Sequence, residues 1–379
     1  MMKAYQSWGR YPSITSQQIR YLQWQDSLDL AHDNGWLLAY GRGRSYGDVC
    51  LNDNGTLLDT HSLDRFLHFD PQQGVLRCEA GVTLADILQL ALPHGWFLPV
   101  TPGTKFVSLG GAVANDVHGK NHHCAGTFGC HVRSLELLRS NGERVICSAE
   151  HNSDLFAATI GGLGLTGLIS WVEIQLKKVS GPYIEQESLR FQNLDEFFEL
   201  SAQSDTDWEY TVSWIDCLAR GKQLGRGLFL RGNHSETPAE KASDLDVPVP
   251  GFNMPLDAPG FLLNRATIHG FNSFYYKKPI KQHQRVHFEP FFYPLDKIAH
   301  WNRLYGRRGF FQYQCVIPQP SAKTAMQEIL TRIAQSGQGS FLSVLKQFGD
   351  IASPGMLSFP RQGVTLALDF AHHGQRTFN

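Results

Sequence analysis

The chain has 379 residues, 42% of them hydrophobic and 18% charged, which suits two folded cores and excludes a disordered chain. Its 34 Lys and Arg balance 35 Asp and Glu, so there is no basic surplus of the kind that binds nucleic acid. Seven cysteines (Cys50, Cys78, Cys124, Cys130, Cys147, Cys217 and Cys315) form no C-x-x-C pair and predict reduced thiols in a reducing compartment.

The opening residues, MMKAYQSWGRYPSITSQ, carry no apolar run of the secretory type. No window approaches the ~20 apolar residues that span a bilayer. The expectation is a soluble, cytoplasmic protein of two domains, at 1–179 and 180–379. Residues 14–35 have helical spacing, and a strand at Trp36–Tyr40 leads into GRGRSYGD at 41–48. Strands at Thr56–Asp59 and Val75–Ala80 precede a helix at Thr83–Leu92, which opens on a capping residue. A stretch rich in glycine and histidine runs from Thr101 to Arg133. Strands at Ser134–Leu138 and Glu143–Cys147 flank Asn141-Gly142, a strong hairpin signal. Asp154–Ile160 reads as a helix, GGLGLTG follows at 161–167, and LISWVEIQL at 168–176 alternates like a strand.

Beyond Val179–Tyr183 the texture changes. Strands at Tyr210–Ile215, Leu228–Arg231, Phe311–Val316 and Val364–Phe370 alternate with helices at 194–203 and 321–335. Residues 247–279, rich in Pro, Gly and aromatics, lack periodicity and read as a long loop of the kind that is either disordered or a functional lid. No internal repeat is visible.

Two glycine motifs compete for a nucleotide. Gly162, Gly164 and Gly167 match G-x-G-x-x-G, but the dinucleotide fingerprint needs a strand before it and a helix after it. Here the order is inverted, which predicts a tight helix-to-strand connection. GRGRSYG follows a strand directly, and its alternating glycines let successive N–H groups converge on an anion. Arg42, Arg44 and Ser45 add charge and a hydroxyl. TPGT at 101–104 and SLGGA at 108–112 supply a second run of donors, so a diphosphate bridging two subdomains suits the pair of loops.

The segments GRGRSYGD, GVTLADIL, LPVTPGTKFVSLGGAVANDVHGKNHH, TFGCHVRSLELL and LFAATIGGLGLTGLI together resemble the FAD domain of the vanillyl-alcohol oxidase and p-cresol methylhydroxylase superfamily. Within it they are most similar to the subgroup that oxidises decaprenylphosphoryl sugars, with sugar-lactone oxidases more distant. WIDCLARGKQLGRG, FFYPLD, WNRLYGRRGFFQYQCVIP, FLSVLKQFG and LSFP extend the likeness over nearly the whole chain. The resemblance implies an α+β fold: a two-subdomain FAD-binding domain followed by an antiparallel-sheet substrate domain. It implies that Arg42, Gly43, Arg44, Ser45, Tyr46 and Gly47, with Ser108, Leu109, Gly110 and Gly111, cradle the diphosphate. It further implies that Thr101, Pro102, Gly103 and Thr104, with Asn115, Asp116, Val117, His118 and Gly119, line the flavin, and that Ile169 contacts the adenine side. Many members attach the flavin through a histidine in the first glycine loop. Arg44 stands in that loop and no histidine does, so non-covalent FAD is expected.

His118, His122, His123 and His131 with Cys124 and Cys130 invite a zinc reading. Structural zinc favours paired ligands at short regular spacing, and Lys120 inside the cluster would repel a cation. No metal is expected. His122, His123 and His131 are expected to satisfy buried backbone groups, and the family pattern sets His118 and Lys120 beside the isoalloxazine and the substrate.

Oxidising a secondary alcohol needs a group that accepts the hydroxyl proton while hydride passes to flavin N5. The candidates are Lys346, Lys120, Tyr46 and His118. Gln312 and Gln314 share one face of a strand, opposite Tyr313, and the resemblance makes that face the substrate side, joined by Tyr305 and Trp214. Ordinary strand polarity explains the two glutamines equally well. Residues 247–279 are expected either to close over the site or to touch a membrane presenting a polyprenyl lipid.

Family members continue beyond the closing LALDFAHHGQRTFN through a helix and a segment that returns to the flavin. The resemblance thus implies a C-terminally truncated substrate domain, with Ala367 where some members carry cysteine. The expected function is oxidation of a sugar or polyprenyl-phosphate sugar, with an NAD(P)-dependent reductase as a candidate partner. The alternatives are a sugar-lactone or alditol oxidase and a non-catalytic FAD-binding remnant.

Overall fold

The computed structural model describes residues 5–24, 30 and 35–377. Seven free cysteines lie among them, and no described helix is long and apolar enough to cross a membrane. The architecture is mixed α/β with antiparallel sheets. The first half begins with a parallel three-stranded sheet in which β3 (Thr56–Asp59) lies between β1 (Gln18–Tyr21) and β2 (Leu37–Tyr40). The helix expected over 14–35 is therefore corrected: Gln18–Tyr21 pair in register with Thr56–Asp59, and this long-range ladder overrides a local helical spacing. Residues 25–29 and 31–34 of that span lie outside the described ones.

A five-stranded antiparallel sheet follows, built from β4 (Phe66–Asp70), β5 (Val75–Glu79), β7 (Val132–Leu138), β8 (Arg144–Ser148) and β9 (Leu168–Gln175), in the order β4-β5-β9-β7-β8. Between its strands, β6 (Trp96–Phe97) forms a ribbon with β10 (Lys177–Lys178). Helix α1 (Leu84–Ala91) starts where Thr83 and Asp86 cap each other, and Leu84, Ile87, Leu88 and Ala91 face the core. Helices α2 (Leu109–Ala114), α3 (His122–Ala125) and α4 (Ser153–Thr159) cover the rest. The G-x-G-x-x-G run leads straight from α4 into β9, with Gly161 N–H donating to Val113 O and Leu163 N–H to Ala114 O. Those donors close the end of α2, as expected of a connection and not of a dinucleotide loop.

The second half is one seven-stranded antiparallel sheet in the order β15-β11-β13-β12-β18-β19-β17. Its strands are β11 (Tyr183–Phe191), β12 (Tyr210–Ile215), β13 (Gly227–His234), β15 (His283–His287), β17 (Phe310–Ile317), β18 (Ser343–Phe348) and β19 (Gly363–Ala371). The short pair β14 (Phe252–Asn253) and β16 (Ile298–Ala299) stands apart. One face of the large sheet packs Phe229, Leu345, Leu366 and Leu368 against α5 (Leu194–Ser204) and α8 (Gln319–Ser336). Packing does not divide at residue 179: Phe288, Phe291 and Phe292 of α7 (Phe288–Phe292), with Tyr293, lie in the core of the first half beside Phe97 and Val100.

The aperiodic reading of 247–279 also needs correction. Arg265–Lys277 forms helix α6, capped by Asn264, whose side chain accepts from the N–H groups of Ala266 and Thr267. Only Ile268 and Asn272 of this helix are buried, too few for an apolar stripe to show in the sequence.

Candidate active site

The two expected donor loops meet. A Cβ on Gly41 would collide with Ser108 Oγ, and Ser108 caps α2 by accepting from Gly111 N–H at 3.3 Å. Arg42 reaches back to Gly81 O at 2.8 Å, while its Nε is buried without a partner. Such an orphaned cationic donor suits an anion in the cradle. Arg44 donates to Arg42 O at 2.9 Å and lies 4.4 Å over the Trp8 ring. Ser45 holds Trp8 N–H through its carbonyl at 2.7 Å, and Gly47 and Gly103 border open space. With Leu109 and Gly110 buried beneath them, these residues fit a diphosphate.

Gly43 has φ +62, and a Cβ there would strike Tyr40 Oη, which donates to Gln6 O. Gly43→Ala should therefore weaken FAD binding by about ten-fold or more, since a left-handed non-glycine residue costs roughly 1–2 kcal/mol before the clash. Flavin-fluorescence titration of the stripped protein measures it; unchanged affinity would remove the loop from the cofactor site.

The TPGT turn lies against the HGK segment: a Cβ on Gly119 would sit 3.1 Å from Thr101 O. Thr101 Oγ1 bonds Tyr293 Oη at 2.6 Å, Thr104 Oγ1 accepts from Phe106 N–H, and Pro102 stays partly open. Asn115 donates to Gly111 O. The Asp116 carboxylate is taken up by Gly129 N–H, Ser353 Oγ and Ser358 Oγ, leaving it only backbone groups to offer a flavin. Val117 is held at both ends of its peptide by Ala112 and Phe128. Ile169 is buried in β9 opposite Leu137.

Cross-strand register gathers the other candidates. Trp214, Val344, Ala367 and Gln314 are consecutive partners across β12, β18, β19 and β17, and Lys346 pairs with Thr365 one step along. Paired residues project to the same side, so Gln314, Lys346 and Thr365 form a polar strip on the face opposite the core. Lys346 Nζ lies 3.0 Å from His118 Nδ1 and donates to Gly119 O at 3.1 Å. On the other side of the ring, the Gln314 amide nitrogen lies 3.1 Å from His118 Nε2 and donates to Thr365 Oγ1. Both imidazole nitrogens are thus engaged, and Phe348 packs at 4.8 Å from the ring. Lys120 instead donates to Phe292 O at 3.2 Å, and its carbonyl accepts from Thr211 N–H.

Burial lowers all three basic groups. Burial, then Lys120, pushes Lys346 down to about 7; burial lowers Lys120 to about 8; burial and Lys346 hold His118 well below the usual imidazole range. A lysine amine that sheds its proton near neutrality is a competent base.

A second group forms around Asp369, which the sequence reading missed. Gln312 donates to Asp369 Oδ1 at 3.0 Å, and burial raises that carboxyl to about 7. Burial, and after it the charge of Asp369, raises the phenols of Tyr46 and Tyr305, and both rings pack on Phe310. Trp214 Nε1 donates to Phe341 O. The signal for Asp369 was present in VTLALDF, where Thr365, Ala367 and Asp369 alternate in an apolar strand.

Of the remaining histidines, His123 and His131 bond the carbonyls of Trp208 and Ala125, as expected. His122 departs from expectation: it is buried, neither ring nitrogen has a partner, and the ring packs on Phe348 at 4.5 Å. Burial accordingly lowers its pKa to about 4. Cys124 and Cys130 face the carbonyls of Glu209 and Ala352, and no metal-holding group of three occurs among the described residues.

A split anion cradle beside a row of depressed bases defines an FAD-dependent oxidoreductase, and known proteins agree. Residues 22–148 match the FAD binding domain family. The chain is 37% identical over 342 residues to the decaprenylphosphoryl-β-D-ribose oxidase of Mycolicibacterium smegmatis, covering 88% of this chain and 74% of that one. It is 30% identical over 300 residues to an uncharacterized Streptomyces coelicolor protein, covering 76% and 80%. Bos taurus L-gulonolactone oxidase is 29% identical over 178 residues, or 45% of this chain and 40% of that one. The chain belongs to the vanillyl-alcohol oxidase and p-cresol methylhydroxylase family, and its cofactor is FAD.

Proposed function

We propose that the chain oxidises a secondary hydroxyl of a ribose carried on a polyprenyl phosphate. The observation that carries this reading is the Lys346–His118–Gln314 row, held within hydrogen-bond distance on the polar sheet face. The substrate class is supported by the 37% identity to an oxidase of decaprenylphosphoryl-ribose. Bound FAD supplies the hydride acceptor. Lys346 Nζ takes the hydroxyl proton, and His118 orients it. Gln312 and Gln314 bond the other sugar hydroxyls, and Trp214 and Tyr305 bound the space laterally. Arg42–Gly47 and Ser108–Gly111 hold the diphosphate without a covalent link, and Thr101–Thr104 and Asn115–Gly119 line the ring system.

Anaerobic mixing of the FAD-loaded chain with a polyprenylphosphoryl ribose tests the reading. The flavin absorbance band is expected to bleach. Bleaching by L-gulonolactone alone would move the chain to the lactone oxidases, and no bleaching by either would make it a flavin binder without turnover.

A further inference from the structure

A cavity of about 880 Å³ lies at the Asp369 end of the polar sheet face, lined by Phe261, Arg265, Tyr305, Arg308, Phe341 and Asp369 among others. Arg265 and Arg308 are exposed. The nearby carboxylate Asp257 is already paired with Arg10 and Arg307. Residues 258–288 contain no Asp or Glu, yet include Arg265, Lys277, Lys278, Lys281 and Arg285. The same segment leaves Phe261 74% and Phe274 73% exposed, with Leu262 and Phe271 also uncovered. Arg285 is paired with Glu240, which leaves Arg265 and Arg308, exposed cations beside open aromatic surface, to match a ligand that is anionic at one end and apolar at the other.

We propose that this cavity binds a prenyl phosphate, with the phosphate on Arg308 and Arg265 and the first isoprene units against Phe261 and Phe341. The inference rests on the lipid-linked substrate proposed above and assigns the residues that read its phosphate. The one acid at the cavity wall, Asp369, is buried and accepts from Gln312, and burial raises its pKa to about 7. The guanidinium forks suit a phosphate's oxygens. The cavity borders Asp369, the cross-strand partner of Gln312, on the sheet face that also carries Gln314 and Lys346.

Calorimetric titration of the FAD-loaded chain with farnesyl phosphate, farnesol and inorganic phosphate tests it. Farnesyl phosphate should bind more tightly than the other two probes. Arg308→Ala and Arg265→Ala should each weaken it by roughly ten-fold, as expected for a lost charge-assisted bond, while farnesol binding stays unchanged. Both side chains are exposed, so folding is not at stake. Equal binding of farnesol, equal binding of inorganic phosphate, or arginine variants that match the parent would each overturn the proposal. The readout is separate from flavin bleaching. Bleaching by the lipid-linked ribose with undiminished binding in the variants sinks the cavity alone; farnesyl phosphate binding without bleaching sinks the substrate reading alone.

Discussion

Lys346→Met is expected to slow substrate-driven flavin reduction by about 10²–10⁴-fold, the range for removing a positioned base, with FAD still bound. Stopped-flow absorbance on the loaded protein measures both. Lys346→Arg makes the test sharper: arginine keeps the charge but does not deprotonate, so it should be nearly as slow if the lysine acts as a base. A fast arginine variant would reassign Lys346 to electrostatic positioning. In the parent, burial and Lys120 put the Lys346 pKa at about 7, so the rate should rise with pH to about 7 and then level.

The same shift has a consequence for stability, and its sign is fixed by proton counts. Between about 7 and the ordinary lysine value near 10.5, the unfolded chain holds a proton that the folded chain has lost. Parent stability therefore rises with pH across that window and is lowest below it. Methionine removes the cost of burying the charge. The melting temperature of Lys346→Met should exceed the parent's most at pH 6, with the gain shrinking toward pH 10.

What the sequence revealed was local. Thr83 opening α1, the Asn141-Gly142 turn and the alternation of β12 or β19 lie within one element, where period and capping chemistry act over a few residues. The glycine loops were legible because spacing and flanking elements together rejected G-x-G-x-x-G and favoured GRGRSYG. The failures were non-local. The Gln18–Tyr21 strand depends on residues 56–59. Helix α6 rests on a cap and two buried side chains. Lys346 and Gln314 were singled out one by one, but their convergence on His118 comes from strand register and a loop about 200 residues away.

Lys105 shows the same limit with a larger energetic effect. It follows the TPGT turn, and no sequence pattern gave it a partner, yet its ammonium pairs with Glu289, 184 residues on. Its N–H donates to Asp296 Oδ2 at 2.9 Å. The side chains of Lys105 and Glu289 are 1% and 5% exposed. Burial raises the pKa of both acids, and the Lys105 ammonium opposes that rise. Breaking such a pair from one side leaves a buried charge uncompensated, so Lys105→Met should cost about 3–5 kcal/mol by urea unfolding. Lys105→Met/Glu289→Met should recover most of the loss, because two apolar side chains leave no charge to desolvate. The turn also touches the flavin wall through Thr101, which bonds Tyr293 four residues beyond Glu289. The single variant should therefore release flavin at a lower temperature than the parent, and the double variant should restore retention. A double variant as unstable as the single one would mean that the pair sets geometry that packing cannot replace. A single variant as stable as the parent would mean that Glu289 is protonated in the fold and the cation contributes nothing.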